Sequence, residues 1–222
     1  MQLKHLTYFF YSFLLLIHFN YAHSQTLDSS LTAVSDTAII NNDYVVVNKN
    51  KTDFNEANSI IETRVIVALS NTNIKTKKRK IVLNRGQIEI FHSDENYKIK
   101  KGNYFEIAIK NSHPKPQIPA VWYEPQKNIV VYEDSCFRVF EERLGPNEDR
   151  ALHSHLQRVV VRLNNVQLTD PRYNERAKEG KGIQVPNTVK FAEPTEHVVR
   201  NLSTIPLFNI VLEFKGIASL NN

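Results

Sequence analysis

Glycine is scarce in this 222-residue chain, at 6, and cysteine, methionine and tryptophan occur once each. A single cysteine has no partner within the chain, so a disulfide scaffold is excluded. So few glycines exclude a collagen-like chain, and no glycine-rich loop of the kind that cradles nucleotide phosphates is visible. Turns must come from elsewhere, and 23 asparagines take over much of that work. Long apolar runs are also missing, with one exception at the amino terminus.

That exception, Leu6 to Phe19, is shorter than the ~20 residues needed to span a bilayer but matches a signal-peptide core of ~7–15. Lys4 and His5 precede it, and Ala22-His23-Ser24 offers a small-x-small cleavage site. Residues 1–24 therefore read as a secretion signal. No cysteine follows at a lipid-anchor position, so the expected product has no transmembrane anchor after cleavage and is exported, periplasmic or secreted. Cys136, in the run IVVYEDSCFRVF, is then a small buried hydrophobe rather than a nucleophile.

Charge excludes a further class. The formal net charge is +5, and the excess is local: Lys75-Thr76-Lys77-Lys78-Arg79-Lys80 places five cations between two strand-like runs. A nuclear signal has no meaning on an exported chain, so the cluster reads as a solvated turn and no nucleic-acid partner is expected.

Residues 25–60 are rich in Ser, Thr, Asp, Asn and Lys and read as a flexible leader, with only Tyr44-Val45-Val46-Val47 suggesting a strand. From Thr63 to Lys215 short apolar runs recur (RVIVAL, KIVL, QIEIFH, YFEIAIK, NIVVYE, FRVFEE, RVVVRL, FNIVLEF), with almost no 3.6-residue periodicity. That spacing predicts an all-β sandwich or barrel. Two blocks emerge, 63–113 and 122–215, separated by Pro114-Lys115-Pro116-Gln117-Ile118-Pro119, which cannot form a central strand.

Five histidines remain after the leader: His92, His113, His153, His155 and His197. In Leu152-His153-Ser154-His155 the two rings are two residues apart, so on a strand they share a face. If the strand continued unbroken, Gln157 and Val159 would face inward with the histidines, and Arg158 and Val160 outward. Glu141-Glu142, being adjacent, would point to opposite faces and could not both serve one site. Trp122, Tyr123, Phe137 and Phe140 read as core, and His92 and His113 as surface or loop residues.

The segment from Gly145 through His153 and His155, followed by Glu196-His197-Val198-Val199-Arg200-Asn201, resembles the two motifs of the cupin superfamily. The first motif there is a Gly, five residues, HxH, three or four residues, Glu, six residues and Gly. The second is Gly, five residues, Pro-x-Gly, two residues, His, three residues and Asn. Here seven residues separate Gly145 from His153, His197-x-x-x-Asn201 matches the second motif, and Pro194 is kept while the following glycine is lost. The family's Glu would fall at Val159 or Val160, and neither can bind a metal.

The resemblance implies a cupin-like double-stranded β-helix (jelly-roll) barrel at 122–215, with 63–113 as a partial β block, a degenerate cupin half. It implies a divalent transition metal on His153, His155 and His197, with one ligand absent. Three imidazoles suit Fe, Zn, Ni or Cu better than Mg or Ca. Gln157 is the expected substrate-binding neighbour, and Asn201 a structural residue. Two functions stay open: a metal-dependent protein acting on a small substrate, and a non-catalytic module binding a small ligand, carbohydrate or protein partner without metal. Family members often pair as homodimers through sheet edges, a further expectation.

Overall fold

The structure, a computed structural model, describes residues 38–51, 61–110, 124–170 and 182–215. The leader at 1–24, the proline-rich crossing and His113, Trp122 and Tyr123 lie outside them. Among the described residues, apart from one 3-10 turn, Pro125–Lys127, every regular element is a strand, and every strand pairing is antiparallel.

The first eight strands are β1 (Ile40–Asn41), β2 (Val45–Lys49), β3 (Ile61–Ala68), β4 (Thr72–Thr76), β5 (Lys80–Leu83), β6 (Ile88–His92), β7 (Tyr97–Lys101) and β8 (Tyr104–Lys110). They form one sheet in the order β1-β2-β8-β3-β6 and another in the order β5-β4-β7. The remaining strands are β9 (Asn128–Glu133), β10 (Phe137–Leu144), β11 (Asp149–His155), β12 (Arg158–Arg162), β13 (Leu168–Thr169), β14 (Thr188–Ala192), β15 (Thr195–Asn201) and β16 (Leu207–Phe214). Their sheets run β14-β12-β16-β10-β9 and β11-β15-β13, the latter extended by a bridge between Gln167 and Ile183.

A jelly roll places its first, eighth, third and sixth strands in one sheet and its second, seventh, fourth and fifth in the other. With β10 as first strand and the Ile183 bridge as fifth, the C-terminal half has that order completely. With β2 as first strand, the described strands β2 to β8 of the N-terminal half fit the same order, with no strand assigned to the second position among the described residues. The described residues thus form one complete jelly roll preceded by a second with seven of its eight positions filled.

In the C-terminal barrel the pairings form one long folded ribbon. Phe137 faces Phe214, His153 faces His197, Arg158 faces Ala192 and Gln167 faces Ile183, so every pair is centred near residue 175.

The two barrels share a core. Val45, Val47, Val65, Val67, Phe105 and Ile107 of the first pack with Phe137, Val139, Val159, Val161, Ile210, Leu212 and Phe214 of the second. β8 and β16 are buried on both faces, which explains why YFEIAIK and FNIVLEF read as near-continuous apolar runs. Arg85 fastens the halves, donating from Nη1 to the Leu69 carbonyl at 2.8 Å and to Asn187 Oδ1 at 2.7 Å, and from Nη2 to the Leu163 carbonyl. Gly86 (φ +84°) lies where a Cβ would come within 2.8 Å of the Phe208 ring, so close approach requires glycine there.

This packing corrects the reading of 25–60 as a leader for residues 38–51, the part of that segment the structure describes. Ile40–Asn41 and Val45–Lys49 are strands, Val45 to Val47 are almost fully buried, and Val45 and Val47 pack in the shared core. Their polar flanks disguised them: Asn42 Oδ1 caps the turn by accepting from the Tyr44 and Val45 amides at 2.9 Å. The basic cluster at 75–80 does form a turn, between β4 and β5, as expected. Cys136 is half-buried and packs against the shared core.

Phe214 touches Tyr44 of one barrel and Phe191 of the other. Phe214→Ala is expected to lower the free energy of unfolding by about 3–5 kcal/mol in a urea titration. Amides of β8 and β16 should then lose hydrogen-exchange protection together; protection lost in β16 alone would mean that the barrels do not share their packing.

Candidate metal centre

The ribbon's register places the site. β11 and β15 pair His153 directly opposite His197, and His155 lies on the same face two residues along. Their ring centroids are 4.5 Å (His153–His197), 4.9 Å (His153–His155) and 5.4 Å (His155–His197) apart. One nitrogen from each ring lies within 4.8 Å of the other two. Donors ~2.1 Å from a tetrahedral metal sit ~3.4 Å apart, so modest ring rotations close the remaining gap. His153 and His155 are buried and His197 is half-buried.

Local hydrogen bonds decide which nitrogens face the centre. His153 Nδ1 lies 2.8 Å from the Ala151 carbonyl, which can only accept, so Nδ1 carries the proton and Nε2 the lone pair. His155 Nδ1 is 3.3 Å from Glu213 Oε2, leaving its Nε2 on the inner side, 3.8 Å from Glu142 Oε1. The Nε2 atoms of His153 and His197 are buried without a hydrogen-bond partner. Imidazoles tied by Nδ1–H to a carbonyl or carboxylate, with Nε2 free, are oriented as metal ligands commonly are.

Two carboxylates complete the wall, and sequence reading missed the role of both. Glu213, fully buried on β16, accepts from His155, from the Leu156 amide at 3.0 Å and from Arg138 Nε at 2.9 Å. Glu142 on β10 accepts from Arg150 Nη1 at 3.1 Å and from Asn209 Nδ2 at 2.9 Å. Alternation held the signal: Arg138, Phe140 and Glu142 share one face of β10, and Glu141 lies on the other, where it pairs with Arg143.

Two expectations need correction. The strand is not unbroken, because the chain turns a corner at Leu156–Gln157 as it leaves one sheet for the other. Beyond that corner the parity changes: Val159 and Val161 enter the inter-barrel core, while Val160 packs inward with Phe140 and Val211. Arg158 is accordingly buried, its Nη1 donating to the carbonyls of Leu156 at 3.1 Å and Glu193 at 3.0 Å, rather than lying outside. Gln157 is given to Glu193 Oε2 at 2.9 Å and is not brought to the histidines. Val159, in the inter-barrel core, and Val160, in the inner apolar cluster, offer the histidines no ligand.

Asn201 is structural, as the resemblance implied. It is fully buried, donates from Nδ2 to the carbonyls of Gly145 at 2.9 Å and Ile205 at 2.8 Å, and accepts from the Ser203 amide at 3.0 Å. Phe137 and Phe140 are core, and His92 is exposed. A separate groove of about 380 Å³, lined by Lys127, Arg143, Glu148 and Phe208 among others, does not include the histidines.

Burial keeps all three rings neutral. Desolvation, reinforced by Arg150, lowers the pKa of His153, and desolvation lowers that of His155 well below its usual 6.5. Desolvation and the two neighbouring rings bring His197 down to about 3. Burial alone would raise Glu142, but His155 in its protonated form, the Arg150 guanidinium and the Asn209 hydrogen bond outweigh it and hold the carboxyl at about 2. Neutral imidazole is the form that binds a metal.

Below pH 6.5 the unfolded histidines bind protons that the folded ones refuse, so stability falls as pH falls. Glu142 acts in the same direction only below its ordinary 4.5, so pH 6.5 to 4.5 isolates the histidines. Protein held in chelator is expected to lose melting temperature across that interval, and His197→Gln to flatten the decline. An unchanged slope in the variant would contradict the burial of these rings.

No family model matches the chain, and no curated protein matches it. Several solved structures are similar. A cupin 2 conserved barrel domain protein from Leptotrichia buccalis is 11% identical over 81% of this chain and 88% of its own, with a TM-score of 0.49. AerE from Microcystis aeruginosa is 11% identical over 77% and 85%, with a TM-score of 0.46. Oxalate decarboxylase from Bacillus subtilis, which has Mn(II) centres, is 13% identical over 71% and 64%, with a TM-score of 0.40. The fold itself is read from the strand order, which gives the described residues of the C-terminal half a jelly-roll, double-stranded β-helix fold, an architecture that cupins share with other jelly-roll proteins.

Proposed function

We propose that the chain is an exported protein whose C-terminal barrel holds a divalent transition metal on His153, His155 and His197 and acts there on a small molecule. The observation that carries this reading is the pair of buried, unpartnered Nε2 atoms on His153 and His197, facing a third imidazole whose Nδ1 is tied to Glu213. Burying such groups unsatisfied costs free energy. A metal bound there would supply Lewis-acid polarisation or oxygen chemistry, and an all-imidazole donor set suits Fe, Zn, Ni or Cu.

The protein's own residues have separable tasks. Ala151 and Glu213 fix the orientation of two imidazoles. Phe140, Val160 and Val211 form an apolar belt that limits water in the barrel. Glu142, ionised and 3.8 Å from His155 Nε2, supplies negative charge beside the histidines and positions Arg150 by accepting from its Nη1. Val159 and Val160, standing where the family has its Glu, favour a second reading: a module that binds a ligand in the same barrel without metal or turnover. Homodimer formation through sheet edges is proposed for either reading.

Mature protein purified without chelator and analysed for elements is expected to carry about one transition metal per chain, and His155→Ala to carry almost none. Glu213→Gln keeps the side chain's shape but not its charge and should weaken metal affinity about 10–100-fold. Metal-free protein that takes up none of Fe(II), Zn, Ni or Cu would overturn the first reading in favour of the second.

A further inference from the structure

The interior of the C-terminal barrel carries more positive than negative charge. Arg138, Arg150, Arg158 and Arg162 line it against Glu142 and Glu213. Glu213 is matched by Arg138 and Glu142 by Arg150. Among the described residues, no carboxylate pairs with Arg158 or Arg162, and Arg162 Nε is buried without a partner. A divalent cation on the histidines would enter an interior already in cationic excess.

Arg150 shows what would balance it. A register shift between Arg150 and His153 interrupts the β11–β15 ladder, and such a bulge changes which face the next residues take. Regular alternation would have put Ala151, not Arg150, on the histidine face. With the bulge, Ala151 and Leu152 are exposed while Arg150 is 2% exposed and packs inside with His153 and His155. Its Nη1 is taken by Glu142, but Nε and Nη2, adjacent on one edge of the guanidinium, are both buried without partners. That edge presents two parallel N–H donors, the arrangement that donates to both oxygens of one carboxylate.

We propose that the barrel's ligand is a small organic anion whose carboxylate seats on the Nε–Nη2 edge of Arg150 beside the three histidines, and that this anion and a divalent metal bind cooperatively. The anion offsets the excess of guanidinium charge that opposes the metal, and the metal strengthens the field that holds the anion. By linkage each must tighten the other by the same factor. Only the cooperativity rests on the metal reading; the carboxylate seat needs Arg150 alone.

The test is calorimetry on the whole mature chain with propionate as probe, propionamide as its uncharged counterpart, and Co(II), at constant ionic strength. Propionate is expected to bind metal-free protein and propionamide not to. Arg150→Gln should weaken propionate binding by roughly tenfold or more, and Arg150→Lys, which keeps the charge but loses the fork, should weaken it as well. Saturating propionate should tighten Co(II) about fivefold or more, with the reciprocal gain for propionate. No preference for propionate over propionamide, or equal propionate affinity in wild type and both variants, would overturn the seat, and the first comparison needs no variant to fold. Co(II) affinity indifferent to propionate would overturn the coupling. Propionate binding lost with Arg150 in a protein that takes no Co(II) would support the seat while removing the metal reading.

Discussion

The antiparallel pairing of His153 with His197 is the contact on which the rest of the site depends, and it holds only while one ribbon stays in register from Phe137–Phe214 to Gln167–Ile183. A slip of one residue would turn every side chain of β15 to the opposite face. What pins the register is the alternation of β10, β12 and β16. One face, with Val139, Val161, Ile210 and Leu212, packs on the N-terminal barrel, and the other carries Phe140, Val160, Val211 and the charged groups of the interior. The first barrel thus serves the site indirectly, by supplying the apolar surface that fixes which way the second barrel faces.

Inside, polar groups sit at higher density than the small apolar belt would ordinarily tolerate. Glu213 and Glu142 are satisfied by arginines, an amide side chain and a backbone amide, and they in turn position His155 and Arg150. A buried ionic network of this kind adds little net stability against an apolar core of the same shape. Its retention is better explained by placing three neutral imidazoles and one guanidinium edge on a common interior than by folding.

The fold was legible because its signal is repeated: apolar runs of similar length, Asn and Pro punctuation, and no helical periodicity. The three histidines were legible because period-two alternation and the HxxxN spacing are local. What escaped notice was wherever the chain breaks its period. The corner at Leu156–Gln157 reversed the faces assigned to Arg158 and removed Gln157 from the site, and the bulge at Arg150–His153 hid an inward arginine behind apparently regular alternation. Glu213 was masked because a fully buried strand reads FNIVLEF on both faces, and its partner Arg138 is distant in sequence. The Val45–Lys49 strand looked like part of a leader because most of the polar sequence around it carries no apolar repeat.

The central claim is that His153, His155 and His197 act together through ring nitrogens on one metal ion. X-ray absorption at the zinc edge of Zn-loaded protein tests it most directly, since imidazole rings give a characteristic multiple-scattering pattern. The account predicts three imidazole nitrogens at ~2.0–2.1 Å, with water or an anion oxygen completing the shell. A shell of oxygens, with at most one imidazole, would contradict it.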